Sequence, residues 1–189
     1  MNVNTWHARL GHIGQEIMNR LTKEGLLGLL ANIDLPICES CLVEKTIRKP
    51  FGKVTRDESL LQIVHSDICG SMSVRARHGV MYFIIFIDDY SCIDYIYLSS
   101  HKFEVLDCFK SYLNLIENQL AKRIKVLRTN HGREYLSEQV NELCNDKGIE
   151  RQLIILRTPQ QNGVVERRNK TLLEMVRSMM AQANLPVSC

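Results

Sequence analysis

The longest apolar run in the chain, Val80–Ile87, is only eight residues long. A run of that length, continuously apolar from Met81 to Ile87, reads as a strand covered on both faces, so layers must pack above and below it. It is far short of the roughly 20 apolar residues that a membrane-spanning helix needs. The patterns around it fill in a sheet. Leu60–Ile68 is β-branched and apolar, and Asp94–Leu98 is a short strand reached through the turn Asp88-Asp89-Tyr90-Ser91; together the three suggest an antiparallel meander. Asp88 and Asp89 are read as turn residues after a buried strand rather than as metal ligands. Phe103, Leu106, Phe109, Leu113, Ile116 and Leu120 then mark a helix. A strand is expected over Ile124–Leu127, and a helix over Ser137–Lys147 with Gly148 behind it. A strand over Ile149–Ile155 follows, then a long helix from about residue 161 to 183 with Val165, Leu172, Val176 and Met179 on one stripe. The order βββαβαβα is mixed α/β, one five-stranded sheet flanked by helices.

The first third of the chain has a different texture. Leu10, Ile13, Ile17 and Leu21 recur at helical spacing until Gly25 and Gly28. Residues 52–59, GKVTRDES, are polar and aperiodic and read as a linker. The expected division is therefore a small module over residues 1–58 and a larger domain over 59–189. A module of that size has little apolar surface to bury and needs a further source of stability. Seven cysteines is an odd number, and the start of the chain lacks a basic stretch followed by an apolar one. Close-spaced Cys and His pairs are thus read as metal ligands before disulfides. His7-x4-His12 and Cys38-x2-Cys41 supply four N/S donors from two local turns, as tetrahedral Zn²⁺ requires. Surface histidines and small core cysteines are the plainer alternative.

A second set of residues lies at element ends: Asp67 and Asn130 at strand ends, Glu166 in the first turns of the last helix. Two-metal phosphoryl transfer needs oxygen ligands converging from separate elements. Taken singly, Asp67 also fits a turn aspartate, and Glu166 fits half of an i,i+4 pair with Lys170. The net charge of +3 is shared evenly, 8 basic against 7 acidic residues in 1–58 and 16 against 14 beyond. That permits a nucleic-acid partner without demanding one.

WHARLGHIG with CESCLVEKTIRKPF resembles the zinc-binding segment that precedes the integrase of Ty1/copia-type retrotransposon Pol polyproteins, the gag-pre-integrase module. HSDICG, FIIFIDDYS, IKVLRTNHGREYLS and TPQQNGVVERRNKTLLEM resemble successive blocks of the integrase core, and the order and spacing fit over essentially the full chain. The resemblance implies an RNase H-like fold preceded by a small helical zinc module, structural Zn²⁺ on His7, His12, Cys38 and Cys41, and catalytic Mg²⁺ or Mn²⁺ on Asp67 and Glu166. It implies a catalytic triad at Asp67, position 130 and Glu166, with 35 residues between the last two, and DNA contacts from Gln160, Asn162, Arg167 and Lys170. Element ends and target DNA are the implied partners, within a homo-oligomer. An intracellular location, nuclear or cytoplasmic, is expected, and no membrane. The chain departs from the family in two places. Asn130 stands where the family carries aspartate, with His131 beside it as a nitrogen donor poorly suited to Mg²⁺. Leu156-Arg157 replaces a usual Pro-Tyr pair. The family also continues beyond the last helix, so a C-terminally truncated core is expected.

Overall fold

The computed structural model describes residues 2–28, 34–45, 58–72, 79–154 and 159–185, apart from the side chains of 159–162. They belong to two compact units, one of residues 52–169 and one of residues 1–51 with 170–189.

In the larger unit, β1 (Ile63–Cys69), β2 (Tyr82–Asp88), β3 (Asp94–Ser99), β4 (Val126–Thr129) and β5 (Glu150–Leu153) form one sheet in the order β3-β2-β1-β4-β5. β1, β2 and β3 pair antiparallel, as a meander must, whereas β4 and β5 add parallel to β1. Parallel neighbours need crossovers. These are supplied by α4 (Val105–Leu120) before β4 and α5 (Glu138–Lys147) before β5. The mixed five-stranded sheet is the one expected. On one face Val64, Ile84, Phe86 and Leu127 pack against Phe109, Tyr112, Leu113 and Ile116 of α4 and Val140 and Cys144 of α5. Phe86 stacks on Tyr112 at 4.6 Å between centroids, an aromatic layer that fixes α4 over the middle of the sheet. Alternate β2 residues Phe83, Ile85 and Ile87 are also buried, so β2 is covered on both sides, as its unbroken apolar run requires. α5 begins at Ser137, whose hydroxyl accepts from Val140 N–H, and stops at Gly148 in the left-handed region.

The smaller unit contains α1 (Val3–Arg9), α2 (Gln15–Lys23) and α3 (Glu39–Glu44). Its core is slight: Met18 and Leu27 are buried, with Val3, Trp6, Leu10, Ile13, Leu21 and Leu35 packed around them. The continuous helical stripe from Leu10 to Leu21 is corrected here. Gly11 and His12 both have positive φ, 69° and 61°, and break the segment into α1 and α2. Gly11 also lies against Met175, where a Cβ would approach the methyl carbon to 2.7 Å, so both conformation and space select glycine. With the phase reset by this turn, Met18 is buried and Ile17 faces outward.

The last helix, α6 (Pro159–Gln182), covers the expected span, but its buried stripe differs from the expected one. Val165 is buried, Val176 and Met179 are exposed, and the polar Asn169, Glu174 and Ser178 are buried instead. Phe103 likewise belongs to a single 3-10 turn ahead of α4 and is exposed rather than in the helix stripe. Leu156-Arg157 falls outside the described residues.

Candidate functional site

Two constellations stand out, one in each unit. In the smaller, His7 projects from α1 and His12 from the turn behind it, where His12 N–H donates to His7 O at 2.7 Å. Cys38 caps the start of α3 and Cys41 lies in its first turn. Their ligand atoms lie within 4.8 Å of one another. His12 Nδ1 is 3.1 Å from His7 Nε2 and 3.4 Å from Cys38 Sγ, and Cys41 Sγ is 3.4 Å from His7 Nε2 and 3.5 Å from His12 Nδ1. Tetrahedral zinc with Zn–N of about 2.0–2.1 Å and Zn–S of about 2.3 Å has edges of about 3.3–3.8 Å. The four atoms already stand close to the corners of such a figure.

The protonation states suit a metal as well. His7 Nδ1–H donates to Ile13 O at 2.9 Å, which leaves the Nε2 lone pair facing its three companions. Burial lowers the pKa of both His7 and His12, and each ring's positive form is further disfavoured by a neighbouring charge, Lys45 for His7 and His7 itself for His12. Neutral imidazoles are the ligand form. Burial pushes the Cys41 thiol up, so metal binding would have to expel its proton. Lys45, just past α3, donates to the carbonyl of His12 and ties the two ligand pairs together; nothing in the sequence pattern singled it out.

The second constellation follows from sheet register. β1 and β4 are parallel neighbours with Ser66 opposite Thr129, so the next residues, Asp67 and Asn130, emerge side by side. Asn130 Nδ2 donates to Asp67 Oδ1 at 2.7 Å, and Asn130 Oδ1 accepts from Gly132 N–H at 2.8 Å. From α6, Asn169 Nδ2 donates to Asp67 Oδ2 at 3.1 Å. Glu166 lies three residues before Asn169 on the same helix, exposed to solvent. Desolvation holds the Asp67 carboxyl at about 6, with the negative charges of Glu166 and Glu134 acting in the same direction. All the donors here are hard oxygens or amides. Arg168 forks onto Asp94 at the end of β3, with Nη2–Oδ1 at 2.6 Å and Nε–Oδ2 at 2.9 Å, and so anchors this stretch of α6 to the sheet.

The remaining expected residues are dispersed. Arg167 donates to Gly163 O in its own helix, and exposed Lys170 lies 4.0 Å from Glu174. The side chains of Gln160 and Asn162 lie outside the described residues. Asp88, read as a turn residue after the strand, is the last residue of β2 and holds the turn behind it: it accepts from Leu61 N–H at 2.7 Å and from both the N–H and hydroxyl of Ser91. Asp89 holds a partner the pattern did not reveal, buried His65 at 2.9 Å. Asn169 and Glu134 were also missed. Asn169 lies three residues past Glu166, a spacing that would have drawn attention to it.

Residues 2–46 match the GAG-pre-integrase domain family. The whole chain, 189 residues, is 35% identical to the retrovirus-related Pol polyprotein from transposon TNT 1-94 of Nicotiana tabacum. A further 185 residues' match, at 27% identity, is to the Pol polyprotein from transposon RE1 of Arabidopsis thaliana. The chain spans only 14% and 12% of these two relatives. Among solved structures, a chain of the simian T-cell lymphotropic virus intasome, determined with PP2A regulatory subunit B56 gamma, superimposes with a TM-score of 0.56 at 21% identity, over 98% of this chain and 64% of that one. At that identity the likeness is one of fold alone. No helix among the described residues is long and apolar enough to cross a membrane. The module match over residues 2–46 and the end-to-end similarity to transposon polyproteins support reading this chain as an integrase region of a retrotransposon Pol polyprotein.

Proposed function

We propose that this chain is a zinc-stabilised, DNA-binding integrase-type protein whose phosphoryl-transfer chemistry is impaired. Its natural substrates on this reading are the ends of element DNA and target DNA, handled by a homo-oligomer in the nucleus or cytoplasm. His7, His12, Cys38 and Cys41 would hold structural zinc, organising a module at 1–58 ahead of the core at 59–189. Arg167 and Lys170, with Gln160 and Asn162, are the proposed DNA contacts.

The impairment is carried by one observation: the Asn130 amide donates to Asp67 at 2.7 Å. Each amide N–H takes one lone pair of an Asp67 oxygen, and Gly132 N–H takes one from the Asn130 carbonyl, so fewer are left for a cation. Divalent metal pairs are held largely by ionised oxygens, and this site has one fewer than the family's. On this reading the residues present fit a two-metal centre poorly. A loss of about 3–5 kcal/mol in transition-state stabilisation corresponds to a rate lower by about 10²–10⁴. The same contact favours a second reading, a non-enzymatic remnant that binds DNA or another chain.

Strand transfer on a labelled oligonucleotide separates these readings. The unmodified chain is expected to bind DNA weakly, more weakly still as salt rises, and to show no joining above background in Mg²⁺. Robust Mg²⁺-dependent joining that disappears in Glu166→Gln would overturn the impairment. Absence of salt-dependent DNA binding by folded, zinc-loaded protein would remove the nucleic-acid function.

A further inference from the structure

Asp67 stands where the first carboxylate of a divalent-metal site would stand, yet both its oxygens are met by amide groups, Oδ1 by Asn130 and Oδ2 by Asn169. The direction of the Asn130 side chain is not arbitrary. Gly132 N–H is a donor, so it must face the carbonyl end, which leaves the amide end toward Asp67. Glu134 Oε1 also stands close to this turn, 2.6 Å from where a Cβ on Gly132 would lie.

An aspartate at 130 would keep the Gly132 contact with one oxygen and direct the other at Asp67 Oδ1. Two ionised oxygens at hydrogen-bond distance need a cation or a shared proton between them. Glu134 and Glu166 bring further negative charge to the same edge, since both act on the Asp67 carboxyl. In the asparagine chain an N–H occupies the position between the two groups and supplies the positive end of a dipole there.

We infer that Asn130, with Asn169, forms a metal-independent lock on Asp67, its amide serving the structural role that a divalent cation would serve between carboxylates. The inference rests on the integrase-type reading for the place of that cation, but it concerns folding and not DNA. The β1–β4–α6 junction is thereby stable without Mg²⁺ or Mn²⁺. Restoring aspartate recreates a metal requirement.

The test is thermal unfolding of the full chain, zinc-saturated and near neutral pH, with and without millimolar Mn²⁺, for the unmodified protein, Asn130→Asp and Asn130→Ala. The unmodified chain should melt at the same temperature in both conditions. Asn130→Asp should melt several degrees lower without Mn²⁺ and recover with it, and Asn130→Ala should melt lower in both. If Asn130→Asp does not fold without Mn²⁺, folding regained on adding the ion supports the lock, and failure to regain it overturns it. Mn²⁺ raising the unmodified chain as much as Asn130→Asp, or Asn130→Asp being as stable as the unmodified chain in its absence, also overturns it. DNA binding by the same samples bears only on the functional reading, so the two fail separately.

Discussion

Burial strips water from the Asp67 carboxylate, and the carboxyl consequently titrates near 6 instead of near 4. Its folded state holds the proton more tightly than the unfolded chain does. The resulting stabilisation is complete below the unfolded pKa of about 4 and is lost as pH rises through about 6, a swing of about 3 kcal/mol. Zinc release at low pH acts in the opposite direction, so the informative quantity is a difference. Unfolding free energies of the unmodified chain and Asp67→Asn, followed between about pH 5 and pH 8, should diverge in favour of the unmodified chain as pH falls. A gap that stays constant across that range would show that Asp67 titrates normally. The metal quartet allows an equally local test. Cys38→Ser combined with Cys41→Ser should abolish the one bound Zn²⁺ per chain, measured by metal analysis of purified protein. Retention of zinc by that double variant would dismiss the quartet.

At the level of elements, α6 presents the residues that reach the Asp67 edge, and its position depends on Arg168. The guanidinium makes two parallel hydrogen bonds to Asp94, whose side chain is only 11% exposed while that of Arg168 is 41% exposed. A pair open to solvent on one side is worth less than a buried one, so Arg168→Met should cost about 1–2 kcal/mol. Pairing it with Asp94→Asn should cost less than the sum of the single changes, because each removes the same contact. Denaturant unfolding of the four proteins measures this coupling. Additive effects would mean that the fork does not hold α6. The polar residues buried along this helix also account for its misplaced apolar stripe. Asn169 is buried because it binds Asp67, not because it is apolar.

For the molecule as a whole, the two units differ in how much apolar side chain they bury. The sheet unit buries aromatic and aliphatic side chains on both faces of β2, while among the described residues of the smaller the buried apolar side chains are Met18 and Leu27. Structural zinc contributes about 10–16 kcal/mol of apparent binding energy in peptides of comparable size, ample to decide whether such a unit folds. Chelation should therefore remove amide-exchange protection from α1, α2 and α3 and leave β1–β5 and α4 protected. Uniform loss of protection across the chain, or none, would contradict this division of labour.

Local pattern was enough for much of this. The convergence of His7, His12, Cys38 and Cys41 is legible because each pair occupies one turn, where spacing in sequence is spacing in space. The strands and α4 and α5 are legible because alternation and helical period report burial on a face, but Asp67 lies within β1, two residues short of its end. The break at Gly11-His12 is not legible, since a helical period continues numerically through a turn made by two residues of positive φ. Nor is the parallel register that sets Ser66 against Thr129, a choice made by long-range packing of α4 and α5. That register puts Asn130 against Asp67, and the packing of α6 adds Asn169 from 102 residues away. A one-dimensional pattern identifies which residues can bear charge and which face they occupy. Which charges meet, and whether an amide or a cation stands between them, depends on contacts that form only when the chain has closed on itself.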